Sequence, residues 1–163
     1  MSVDLYVEIT PPAEVIVGAI LGFSTQITTF REPLTRAVEK VAAPSLSQNF
    51  DVGGRPAWEP LAEGTTAQKV GGEILIETGE LQRFAGSLDA WTIGGDQAAI
   101  EGLPENVGYG TFHQAGTWKM PARPWAELQE EDLVAIDDIF ALWFEEKLVE
   151  LGFVSSETED LGG

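Results

Sequence analysis

Residues 127–151, ELQEEDLVAIDDIFALWFEEKLVEL, form the longest stretch of the chain that keeps a single periodicity. Leu133, Ile136, Phe140, Trp143 and Leu151 recur at helical spacing and predict one apolar stripe. Glu131, Asp138 and Glu145 stand seven residues apart, so they return to nearly one azimuth on the opposite side. Gly152 predicts the stop. Val134 and Leu142 lie within about 40° of the acidic stripe, so apolar side chains are left beside water. Such a mixed face suits docking to a basic partner; the plainer alternative is a solvated face that aids solubility.

Upstream of this helix, Gly108–Gly116 is a compact aromatic and glycine-rich unit, followed by Met120, Pro121, Ala122, Arg123, Pro124 and Trp125. Ala90–Ile93 and Ala98–Glu101 flank Gly94, Gly95 and Asp96, which is a hairpin signal. Ile74–Glu77 predicts a short strand, and Thr78 the cap of a brief helix carrying Leu81, Phe84, Ala85 and Leu88. The glycines and prolines between Phe50 and Gly72 predict a long loop anchored by Trp58 and Leu61. A helix is expected from Pro33, with Leu34, Val38 and Val41 at helical spacing, and Pro44 is expected to kink or end it. Before it, the apolar run fits either element, and we read Glu14–Gly22 as a strand. Val3, Leu5, Val7 and Ile9 alternate with polar residues as a half-buried strand does, until Pro11 and Pro12. These elements predict one α+β domain over residues 1–151, a mostly antiparallel sheet with a β-hairpin packed against two main helices. Residues 152–163 predict a flexible acidic tail.

Composition narrows the function. The 163 residues include 27 acidic and 9 basic side chains, a formal net charge of −18 that repels phosphate and disfavours a nucleic-acid groove. Residues 127–163 hold 12 of those acids and 1 base, so most of the excess sits on the last helix and tail. A hydrophobic share of 44% is too high for a disordered acidic chain, so the chain folds. The absence of cysteine excludes disulfides and Cys-based metal sites, and a single histidine excludes multi-His sites. The longest apolar run, Val15–Phe23, is about half of a membrane span. Asp4 and Glu8 stand where a secretory signal carries bases, so a cytoplasmic setting is expected.

Conventional catalytic patterns are sparse. His113 is the one available imidazole, no Gly-x-Ser-x-Gly elbow places a nucleophile beside it, and we expect its ring to be packed and hydrogen-bonded within its own turn. Glu130/Glu131, Asp137/Asp138 and Glu145/Glu146 are adjacent helical pairs pointing about 100° apart, so they do not converge on one ion. The paired glycines match neither phosphate-binding fingerprint. Trp143 belongs to the helix stripe, and the other four tryptophans are expected to anchor loops.

Trp58-Glu59-Pro60-Leu61 with Thr65, then Thr78-Gly79-Glu80-Leu81, then Tyr109 with Phe112-His113-Gln114-Ala115-Gly116, then Met120-Pro121-Ala122-Arg123-Pro124-Trp125 before a long last helix, form an ordered series. In order and spacing it resembles the phage virion-morphogenesis family, the Mu-like tail-completion or neck proteins of tailed bacteriophages. The family's early segment is usually a helix, whereas residues 1–29 here read as extended. The resemblance implies a structural protein of the head-to-tail junction, with no catalysis and no cofactor. It implies a homo-oligomeric ring in the virion, assembled in the host cytoplasm beside the tail tube or terminator and the head connector. Genomic DNA would pass through without being gripped. Like charges on adjacent copies repel, so the acidic stripe is expected to face Arg or Lys of a different protein. Arg123 is expected first to tie down the turn before the last helix and second to contact a neighbour. Two alternatives remain at this point: an adaptor binding a basic protein, and a hydrolase using His113.

Overall fold

The computed structural model describes residues 13–66, 68, 74–76 and 78–153. The strand expected at residues 3–10 and nearly all of the acidic tail lie outside them. Helix α1 spans Ala13–Gln26, where the sequence predicted a strand at Glu14–Gly22. The unbroken apolar run has no period-two alternation, and fourteen residues exceed the usual length of a strand. A helix also satisfies its backbone without a neighbouring strand. The hydroxyls of Ser24 and Thr25 donate back to the carbonyls of Leu21 and Gly22, so the hydroxyl-rich end remains compatible with helix.

Helix α2, Arg31–Ala37, starts where expected, with Pro33 buried in its first turn. Pro44 does not end the helical path. The chain takes one wide π-helical turn over Val38–Ala42 and continues as α3, Ala43–Asp51, with Pro44 in the first turn of α3. Ala43 N–H reaches back five residues to the Val38 carbonyl, and this widened turn accommodates a ring that would otherwise collide with the preceding turn. The expected long loop follows, interrupted by the single turn α4, Glu63–Thr66. Ile74–Ile76 is no strand: it forms a turn in which Leu75 takes a φ of 63°. Helix α5, Glu80–Ala85, begins after Gly79 in the left-handed conformation, and Thr78 Oγ1 accepts the Glu80 N–H at 3.4 Å.

The hairpin forms where its glycines place it, with strands β1, Thr92–Ile93, and β2, Ala98–Ala99, paired antiparallel. Among the described residues it is the whole sheet, so the fold is mixed but chiefly helical rather than sheet-centred. Helix α6, Gly110–Ala115, and the long helix α7, Glu130–Glu150, complete it. Leu46, Phe50, Trp58, Leu81, Ala85, Val107 and Trp125 make the core beneath α3 and α5.

The inner face of α7 rests on α2 and the π turn, with Trp143 buried and the Phe30 ring tilted against Phe140 and edge-on to Trp143. Leu133 is exposed instead of joining the predicted stripe, and Asp132 takes the inward position beside it. Gly152 ends α7 as predicted: its φ is +78°, and the N–H groups of Gly152 and Phe153 return to the carbonyls of Val149 and Leu148. The Phe153 ring then meets Phe23 of α1 edge-on at 5.3 Å, and Phe23 meets Phe144 of α7 at 5.1 Å.

Candidate functional site

The segments of the ordered motif series converge on one another. Trp58 Nε1 donates to the Pro124 carbonyl at 3.1 Å, and Trp125 Nε1 donates to the Gly110 carbonyl at 2.9 Å. Gln114 Oε1 accepts the N–H groups of both Trp125 and Ala126 at 2.9 Å. Arg123, only 5% exposed, donates to the carbonyls of Glu59 and Pro60 while its own N–H bonds the His113 carbonyl at 2.7 Å. Its five-donor fork thus ties the Trp58 loop to the turn that launches α7, the first of its two expected roles. Gly116 has a φ of +72°, and a Cβ there would sit 2.7 Å from Ala122 N. Leu81 is fully buried, and a Cβ on Gly110 would lie 2.8 Å from its side chain.

Sequence reasoning missed a second polar brace. Asn49 Nδ2 donates to the carbonyls of Trp125 and Glu127, and its Oδ1 accepts from Arg55 Nε at 2.8 Å. Arg55 also donates to the Ser45 carbonyl and hydroxyl, and the Ser45 hydroxyl donates to Asp132. Asp132 Oδ2 in turn accepts the Gln129 N–H at 2.8 Å, which caps α7. These residues lie on α3, its exit loop and the start of α7, so no local spacing joined them.

His113 is half-buried with the Tyr109 ring edge-on at 5.9 Å. Thr78, Glu80, Tyr109, His113 and Arg123 line an open cleft of about 590 Å³. Among the described residues no cluster of His, Asp or Glu is arranged to hold a metal ion, and no helix is long and apolar enough to cross a membrane.

The outer face of α7 presents Asp138 and Glu145 to water beside Val134 and Leu142, which are 56% and 55% exposed. Glu131 on the same face leans 3.6 Å from Arg55, so it is partly engaged. Lower on α7, Glu32 accepts the Trp143 indole N–H at 3.1 Å. That hydrogen bond, assisted by the charges of Arg36 and Lys147, holds its carboxyl below the usual carboxylate range. Arg36 bridges Glu146 and Glu32, and Lys147 bridges Glu150; hydrogen bonds to Glu146 and Glu150 respectively raise the pKa of each cation. This network fastens α2 to α7 and leaves Asp138 and Glu145 on the far side without ion pairs among the described residues.

One tryptophan departs from expectation. Trp58 and Trp125 anchor the loop and the turn, but Trp118 is 90% exposed at the tip of a turn. Its signal was an aromatic and a base, Trp118-Lys119, held between Gly116 and Pro121.

Over 130 residues the chain is 32% identical to a protein of Haemophilus influenzae described as Mu-like prophage FluMu G protein 2, with 72% of this chain and 83% of that protein covered. No family model and no solved structure matches the chain.

Proposed function

We infer a structural role in a phage particle from one premise: this chain belongs to the family of the Mu-like prophage FluMu G protein 2. We propose that it is a tail-completion or neck protein, forming a ring at the head-to-tail junction and needed for joining the two. The observation that carries this reading is the outer face of α7, where Val134 and Leu142 stand in water between carboxylates on a helix whose other side is already fastened. Apolar groups in that position gain by being covered. The motif residues support the same role from within. Trp58, Gln114, Arg123 and Trp125 spend their hydrogen bonds on the chain's own backbone, as parts that hold a shape. An acidic wall around transiting DNA repels phosphate and lets the duplex slide.

In a phage that encodes this chain, removing it is expected to leave filled heads and tails unjoined, and electron microscopy of complete particles should place it at the neck. Normal infectious particles made without it would overturn the proposal. Asp138→Lys combined with Glu145→Lys should fold normally and block joining.

A hydrolytic reading has one observation in its favour, the presence of Glu80 in the cleft that His113 lines. Turnover lost in His113→Ala while particles still assemble would favour it.

A further inference from the structure

Trp118 and Lys119 occupy the two central positions of a turn closed from both sides, Thr117 N–H to the Met120 carbonyl at 2.9 Å and Met120 N–H to the Thr117 carbonyl at 3.2 Å. The Thr117 hydroxyl also accepts the Lys119 N–H. Gly116 closes the root of the turn against Ala122, and the buried Arg123 follows directly. The tip is therefore rigid while its indole is almost wholly in water. A rigid aromatic loses little entropy on docking and offers 150–250 Å² of surface, roughly, which is why such residues dominate interface energetics.

The charge at this tip is unusual for the chain. Among the described bases, Arg36, Arg55 and Lys147 are ion-paired, Arg123 is buried, and Arg31 and Arg83 donate to backbone carbonyls; the exposed Lys40, like Lys119, has no carboxylate partner among the described residues, but it lies over no aromatic ring there. Lys119 has no carboxylate partner among the described residues, and its ammonium lies 4.6 Å from the centre of the Trp118 ring. In a chain of net charge −18, the tip offers a cation and an apolar plate together. Its complement is a surface with an apolar seat and a carboxylate, and the outer face of α7 is such a surface. Val134 and Leu142 are two i,i+4 steps apart, about 12 Å along the axis, with Asp138 midway between them.

We propose that the Trp118–Lys119 tip of one copy docks on the outer face of α7 of the next copy, the indole against Val134 and Leu142 and the ammonium at Asp138. This rests on the ring reading above and names the contact that builds it. It also supplies from the same chain the base that the acidic stripe requires. The two surfaces are different, so the contact is head-to-tail, and head-to-tail contacts close into rings or run on as filaments.

Sedimentation of the purified full chain tests it. The native chain is expected to self-associate, and Trp118→Ala, which alters no buried group, is expected to weaken association by about thirtyfold or more. Lys119→Glu and Asp138→Lys should each associate poorly alone, whereas an equimolar mixture should assemble, because every tip then meets a face of opposite charge. The inference is overturned by a native chain that stays monomeric at high concentration. Trp118→Ala associating as tightly as the native chain, or a mixture no better than its components, would overturn it equally. If Trp118→Ala still builds complete particles containing the chain at the neck, this contact is wrong and the neck role stands. Absence of the chain from particles removes the neck role instead.

Discussion

The interior brace around Trp125 and the outer face of α7 both set apolar side chains beside charged ones, and put them to opposite uses. In the brace, Trp125 and Trp58 bury their rings and give their N–H groups to carbonyls, and Arg123 and Arg55 are held by backbone and side-chain oxygens. On the outer face, Val134, Leu142, Asp138 and Glu145 have no such partners among the described residues. The recognisable motif therefore records how the fold is held, while the surface available to a neighbour carries no motif. If that division is right, substitutions should sort by region, with stability lost at the brace and assembly lost at the face.

The largest effect is expected at Trp125→Ala. Removing a buried indole costs about 4 kcal/mol in unfolding free energy, and here the Gly110 carbonyl also loses its donor. Equilibrium denaturation should show it, and a loss well under 1 kcal/mol would break the comparison from the interior side. Asn49→Ala should follow at about 2 kcal/mol. It strips a donor from the carbonyls of Trp125 and Glu127 and an acceptor from Arg55, leaving buried polar groups unsatisfied.

A smaller and pH-dependent effect is expected at the Glu32 network. The carboxyl of Glu32 is held below its ordinary pKa in the folded chain. Its contribution is therefore present above the unfolded-state value and lost as pH falls through the folded one. Glu32→Gln should lower the melting temperature at pH 7, and the gap from the native chain should close as pH falls below the ordinary carboxylate range. A gap independent of pH would show that ionisation of Glu32 adds nothing to the effect.

What the sequence disclosed follows the same division. Local chemistry was legible: the left-handed glycine ending α7, Pro33 opening α2, and the glycines of the hairpin each act within a few residues. The acidic stripe and its apolar neighbours were legible too, because helical geometry fixes their azimuth. The apolar run of α1 was not, since it carries no period, and neither was the route past Pro44, since a widened turn leaves no compositional mark. The expected sheet dwindled to a hairpin because Ile74–Ile76 turns instead of pairing. Asp132 took the inward place assigned to Leu133 because Ser45 and Arg55, distant in sequence, partner its carboxylate. In the motif region, order and spacing put Trp58, Gln114, Arg123 and Trp125 in one series, but only contact geometry revealed that they brace one another.

The smallest effect on stability, and the sharpest test of the comparison, is expected at Val134→Gln combined with Leu142→Gln. Both side chains are more than half exposed, and glutamine is a good helix former, so unfolding free energy should stay within about 0.5 kcal/mol of the native value. Self-association and particle assembly should nevertheless fall, because the apolar seat is removed while every charge of the stripe remains. That separates the two components of the face: Asp138→Lys alters its charge, and the glutamine pair alters only its apolar area. A glutamine pair that assembles normally would leave Asp138 and Glu145 to hold a neighbour by charge alone, and assembly would then weaken steeply with salt over the range where the Debye length drops from about 10 Å to about 3 Å. Assembly that resists salt and fails with the glutamine pair identifies burial of Val134 and Leu142 as the force that joins one copy to the next.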